Sequence, residues 1–143
     1  MGRIKYPPIF IDTSAWVALN EKKDIHHKKA RSFIEKNKNG ELNFGPIHTS
    51  ELVLQETYTF LLYNYNYRAA MDIMGRILQS NVIIHPFNSL NFLNIWENIE
   101  ERKTKLSFVD WSIVTYMKKY GINYIFTFDS DFSKIGYEKV PEL

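Results

Sequence analysis

Two short apolar runs near opposite ends of the chain each stop on an aspartate: Ile9-Phe10-Ile11 ends at Asp12, and Tyr124-Ile125-Phe126-Thr127-Phe128 ends at Asp129. Runs of β-branched and aromatic residues this short read as buried strands. In parallel α/β sheets, ligands bind just beyond the carboxyl ends of such strands. Two strand-end acids, far apart in the chain, therefore point to one acidic pocket.

The segments between them decide the fold class. Ser14 to Asn20 predicts a short helix, and Ile25 to Asn37 a second, closed by the turn residues Asn37, Asn39 and Gly40. Leu42 to His48 has no clear period and is ambiguous. Thr49 or Ser50 can cap a helix running to about Tyr63, and Tyr67 to Gln79 predicts another. Val82-Ile83-Ile84 then reads as a second buried strand. Ser89 to Arg102 is helical in period, with Phe92, Ile95, Trp96 and Ile99 on one face and Asn94, Glu97 and Glu101 on the other. Ser107 opens a further helix with Val109, Ile113, Tyr116, Met117 and Tyr120 at helical spacing, and Gly121 ends it before the last clear strand. Helical connections between apolar strands predict right-handed crossovers and a mostly parallel central sheet covered on both faces, a three-layer α/β/α sandwich. No repeat, low-complexity linker or composition break divides the chain, so residues 1–143 are expected to form one domain.

Composition limits the chemistry open to the pocket. With 45% hydrophobic and 15% aromatic residues, a chain of 143 residues can bury a globular core. The absence of cysteine excludes disulfides, thiolate zinc sites and cysteine nucleophiles, and favours a cytoplasmic location. Arg3 and Lys5 precede an apolar stretch, but Pro7-Pro8 and Asp12 interrupt it, so no targeting segment is expected. No apolar run approaches the roughly 18 residues a membrane helix needs. A net charge of +2 is compatible with a polyanionic partner without demanding one.

Four acids carry the functional expectation, each against a structural alternative. Asp12 stands where a helix N-cap belongs, although Thr13 and Ser14 could cap equally well. Asp129 could instead open an Asx turn ahead of Asp131 and Phe132. Glu56 lies in a helix apolar on most of its circumference, in a row with Leu52, Thr59 and Tyr63. That row predicts a carboxylate turned toward protein, balanced by a bound cation or by a buried Lys or Arg. Asp110 completes Ser107-x-x-Asp110, itself a capping-box pattern, in a helix that leads straight to the strand ending at Asp129. The histidines do not suggest a zinc site. His26 and His27 point apart on a helix, while His48 and His85 stand alone, and surface or packing is their expected fate.

The ordered set Phe10-Ile11-Asp12-Thr13-Ser14-Ala15-Trp16, Thr49-Ser50-Glu51-Leu52-Val53-Leu54-Gln55-Glu56-Thr57, Leu106-Ser107-Phe108-Val109-Asp110 and Ile125-Phe126-Thr127-Phe128-Asp129-Ser130-Asp131-Phe132 resembles the PIN domain, especially the VapC-type ribonuclease toxins. The resemblance implies an acidic quartet of Asp12, Glu56, Asp110 and Asp129, with Ser14 and Thr127 supporting it and Asp131 as an accessory acid. It prefers Glu56 over Glu51 and Asp129 over Asp131 as the main acids. Trp111 departs from it, standing where relatives carry a small residue, which implies a differently shaped floor.

Clustered carboxylates repel one another unless a cation neutralises them. An all-oxygen set favours Mg²⁺ or Mn²⁺. The expected activity is metal-assisted hydrolysis of RNA phosphodiesters by in-line attack of water, on a single-stranded loop of transfer or ribosomal RNA. The resemblance also implies a homodimer, a small antitoxin partner that covers the pocket, and no membrane association. The aromatic tract Tyr58 to Tyr67 could stack on bases but is expected to fill a core or dimer interface. Lys103, Lys105, Lys118 and Lys119 could meet phosphates or simply be solvated. Two other classes compete: a noncatalytic RNA-binding or assembly module on the same scaffold, and a small-molecule phosphohydrolase. The second is disfavoured because Thr13-Ser14, rather than x-Asp, follows Asp12.

Overall fold

The computed structural model describes residues 6–142, the side chains of residues 133 and 134 excepted, so Arg3 and Lys5 lie outside the described residues. Five strands, β1 (Ile9–Ile11), β2 (Ile47–Ser50), β3 (Ile83–His85), β4 (Tyr124–Phe126) and β5 (Glu138–Val140), line up as β3-β2-β1-β4-β5. Every neighbouring pair is parallel. Among the described residues six helices connect them: α1 (Thr13–Asn20), α2 (His27–Lys38), α3 (Glu51–Asn64), α4 (Tyr67–Gln79), α5 (Ser89–Arg102) and α6 (Phe108–Tyr120), and a 3-10 turn spans Ser130–Ile135.

Both faces of the sheet are covered, as the continuous apolar runs require. Phe10 and Ile125 share a register position and hence a face, and Phe10 stacks on Tyr116 of α6. The next residue of β4, Phe126, turns to the other face and packs on Phe33 of α2. The result is the α/β/α architecture expected, with one hydrophobic cluster that includes all of β1, Trp111, Tyr116 and Met117.

Topology then places the site. From β1 the chain steps outward through β2 to β3, and only afterwards returns to lay β4 and β5 on the other side of β1. The switch in direction falls between β1 and β4, whose C-terminal ends open a crevice there. Asp12 and Thr127 immediately follow those two strands.

Local signals set most boundaries, and the departures have physical causes. Ser50 rather than Thr49 caps α3, its side chain accepting from the Val53 amide, while the Thr49 hydroxyl donates to Ile11 O and accepts from Trp16 Nε1, both at 3.2 Å. The ambiguous stretch before it resolves into β2, held by pairing to β1 and β3 on either side. The second helix starts at His27 instead of Ile25, because Asp24 accepts from the His26 amide at 2.8 Å and turns the chain first, leaving Ile25 exposed. β3 begins at Ile83 and β4 stops at Phe126. On α5 only Ile95 of the expected face is fully buried, while Phe92 and Trp96 remain exposed. β5 carries no sequence signal: Glu138-Lys139-Val140 buries one side chain and is a strand because it pairs with β4 at the edge.

Candidate active site

Asp12 is both cap and site residue. As N-cap of α1 its Oδ1 accepts from the Ala15 amide at 3.2 Å and from the Ser14 hydroxyl at 2.7 Å, while Oδ2 accepts a short hydrogen bond from the Thr127 hydroxyl. Ser14 Oγ in turn accepts from the Phe128 amide at 3.0 Å, and Thr127 Oγ1 from the Asp129 amide at 3.0 Å. Two hydroxyls thus lock the exit of β4 against the exit of β1. A second pair, Thr57 Oγ1 donating to Thr13 Oγ1 at 3.2 Å and to Val53 O at 2.7 Å, ties α3 to the start of α1. Only 7% of Asp12 is exposed, and this burial pushes its carboxyl from the ordinary 3.8 up to about 6, against the hydrogen bonds from Thr127, Ser14 and Ala15.

Asp110 reaches the same place from α6. Ser107 caps that helix through a complete capping box: its Oγ accepts from the Asp110 amide at 3.1 Å, and Asp110 Oδ2 accepts from the Ser107 amide at 3.3 Å. Desolvation pushes the Asp110 carboxyl up, and the charges of Asp129 and Glu56 push it the same way. Asp129 forms the Asx turn, its Oδ1 accepting from the Asp131 amide at 2.9 Å, and this turn presents both acids to Asp110. Oxygens of Asp110, Asp129 and Asp131 come within 4.8 Å of one another, and all three residues are half-buried. Three converging carboxylates with one hard oxygen each suit a divalent cation of the Mg²⁺ or Mn²⁺ kind, which would replace their mutual repulsion with attraction.

A pocket of about 250 Å³ joins these groups, lined by Asp12, Ser14, Asp24, His26, Glu56, Phe60, Asp110 and Asp129 among others. All members of the expected quartet therefore meet. Glu56 does so differently from the expectation: it is exposed, and among the described residues neither a Lys nor an Arg is paired to it. Its row on α3 turns outward, Tyr63 being 81% exposed, because the buried side of α3 is carried by Val53, Leu54, Thr57 and Leu61. Glu51 faces elsewhere, accepting from the Phe87 amide at 2.8 Å. Trp111 is fully buried and lies among the core residues rather than in the pocket lining, its indole N–H without a partner among the described residues.

The histidines differ from the sequence reading in two ways. His48 and His85 do not stand alone: His48 Nδ1 lies 2.9 Å from His85 Nε2, their rings nearly parallel, and His85 stacks on Tyr120 at 4.2 Å. Strand pairing between β2 and β3 creates this contact. Burial pushes the His85 ring down to about 4, with the neighbouring His48 and Lys119 adding to it, and burial lowers His48 as well. His26 lines the acidic pocket, a place its sequence position did not suggest.

The carboxylate cluster sits at the switch point of an all-parallel sheet, where such folds collect their ligands, and the chain belongs to the PIN domain family, which it matches over residues 9–137. It is 32% identical over 136 residues, covering 94% of this chain and 99% of the relative, to the 23S rRNA-specific endonuclease VapC20 of Mycobacterium tuberculosis. The crystal structure of that sarcin-ricin loop cleaving toxin superposes with a TM-score of 0.78 at 30% identity, covering 90% of this chain and 95% of that one. VapBC2 from Rickettsia felis, solved bound to a promoter DNA fragment, shares the fold at 14% identity and a TM-score of 0.66, covering 92% and 96% of the two chains.

Proposed function

We propose that this chain, acting as a single PIN-type unit over residues 1–143, is a divalent-metal-dependent endoribonuclease and the toxin of a toxin and antitoxin pair. The observation that carries the reading is the convergence of Asp12, Glu56, Asp110 and Asp129 on one pocket, in a chain related over nearly its whole length to an RNA endonuclease. The 23S rRNA sarcin-ricin loop, the substrate of that relative, is the proposed target.

Asp110, Asp129 and Asp131, with Asp12 beside them, would hold Mg²⁺ or Mn²⁺. When bound, such an ion supplies Lewis-acid activation of water and neutralises charge building on the phosphate. The chain's own groups do the rest. Ser14 and Thr127 hold the Asp12 carboxylate in one orientation, so no reorganisation is needed as charge develops. Glu56, solvent-accessible at the pocket and without an ion-pair partner among the described residues, is the carboxylate suited to take a proton from the attacking water. Asp131, fixed by the turn at Asp129, supports the cluster.

A small antitoxin and a second copy of the chain are the proposed protein partners. Exposed apolar side chains on α3 and α4 (Tyr63, Tyr67, Met71) and on α5 (Leu90, Leu93, Trp96) offer surface for both. Among the described residues no helix is long and apolar enough to cross a membrane.

The test is cleavage of total cellular RNA and of a synthetic sarcin-ricin loop hairpin by the purified, antitoxin-free protein in Mg²⁺, in Mn²⁺ and in EDTA. The expected result is metal-dependent cutting that Asp110→Asn lowers by at least about 100-fold, a loss typical of removing one charge-stabilising group. Folded protein that binds RNA but never cuts it would replace this reading with the binding module.

A further inference from the structure

Below about 300 Å³ a pocket is smaller than those that enclose drug-sized ligands. The acidic pocket, at about 250 Å³, is of a size for a phosphate group and its ions, so on the endoribonuclease reading the nucleosides on either side of that phosphate would lie against the pocket's walls. What those walls offer decides which RNA is held in place.

One wall is aromatic. His26 lines the pocket and lies flat on Phe128, with ring centroids 4.4 Å apart and planes within 4° of parallel. Phe128 is itself fixed, its amide donating to Ser14 Oγ and its ring packed edge-on against Phe126 of β4. The backbone of His26 is also held, by its amide donating to Asp24 Oδ1 at 2.8 Å and its carbonyl accepting from the Ala30 amide at 2.9 Å. Yet the imidazole has no capping role and makes no hydrogen bond among the described residues. A half-buried ring held rigidly, backed by a second ring and otherwise unemployed beside a phosphate-sized acidic pocket, is suited to accept a flat partner. Phe60 of α3, 40% exposed and without a ring contact among the described residues, brings a second aromatic surface to the same pocket.

We infer that the His26–Phe128 stack is a platform for a nucleobase adjacent to the scissile phosphate, making His26 a substrate-positioning residue for single-stranded RNA. Single-stranded RNA is read by splaying bases onto aromatic side chains, histidine included. A prestacked pair loses little freedom on binding, so the platform acts on substrate affinity more than on the chemical step. This inference rests on the endoribonuclease reading above.

The experiment compares wild type, His26→Ala and His26→Phe on the sarcin-ricin loop hairpin or, if cellular RNA is cut elsewhere, on an oligoribonucleotide spanning that cut. His26→Ala is expected to raise KM about tenfold, the effect of one lost base–aromatic stack, with kcat within about twofold. His26→Phe keeps a flat ring and restores KM. On the same RNA carrying an abasic nucleotide beside the cut, wild type and His26→Ala become equal. Unchanged KM in His26→Ala, or a fall in kcat that phenylalanine does not rescue, overturns the platform while leaving the nuclease intact. A wild-type protein that cuts no RNA overturns both.

Discussion

Asp12 is the costliest residue of the pocket, since a carboxylate this buried holds its proton up to about pH 6 in the ion-free fold but releases it near 3.8 once unfolded. The sign follows from that order. The folded state binds the proton more tightly, so stability is greatest below 3.8, falls as pH rises toward 6, and is flat above. The interval amounts to about 3 kcal/mol, at about 1.4 kcal/mol per pH unit. Asp12→Asn removes the charge and keeps an oxygen for the Ala15 amide. In EDTA at pH 7 it should therefore equal or exceed wild type in stability by up to about 3 kcal/mol, with the advantage vanishing below pH 4, as urea unfolding across pH would measure. The same variant should lack cleavage. A residue kept at such cost is explained by what it binds rather than by the helix it caps.

At the scale of elements, the start of α6 shows how a structural motif aims a functional group. Ser107 and Asp110 satisfy each other's amides, and the same turn places a carboxylate oxygen of Asp110 within 4.8 Å of one from Asp129. Ser107→Ala should lower stability by about 1 kcal/mol, as loss of a cap does. Its cleavage rate should fall by more than that destabilisation explains, with Ser107→Thr recovering both; thermal melts and rates measured on the same preparations separate the two effects. The helix starts legible in the sequence were those with local punctuation of this kind: α1, α3, α4, α5 and α6 are capped by Asp12, Ser50, Asn66, Asn88 and Ser107, whereas α2, whose cap residue His26 makes no side-chain capping bond, starts two residues later than expected. What stayed hidden was set by contacts between distant segments. β5 exists through β4, the His48 and His85 contact through the β2–β3 register, and the place of His26 through Phe128. Glu56 lines the pocket without the burial its context suggested: the apolar circumference of α3 predicted a carboxylate turned toward protein, but several of those side chains, Phe60 and Tyr63 among them, face solvent.

For the whole molecule, the proposed cation site would link ligand to stability. Asp110 of α6, Asp129 after β4 and Asp131 of the Ser130–Ile135 turn, with Asp12 beside them, join distant parts of the chain, so an ion that binds them binds only the folded state. Mg²⁺ at about 100 times its dissociation constant should add about 2.7 kcal/mol. For a chain of this size that raises Tm by about 5–10 °C, and Asp110→Asn should abolish the rise in a thermal melt. The acids were legible because strand ends in a parallel sheet are where such groups collect, and the switch point between β1 and β4 gives that rule its geometry.

That central β1–β4 pairing also governs timing. The first strand waits unpaired on one side until Tyr124–Phe126 has been made, and Asp129 and Asp131 come later still. A chain emerging from the ribosome can form α1 to α5 but has no complete carboxylate cluster until Asp129 and Asp131 are out. A nuclease of the kind proposed, directed at ribosomal RNA, would thus be inert toward the machine synthesising it until that segment has emerged.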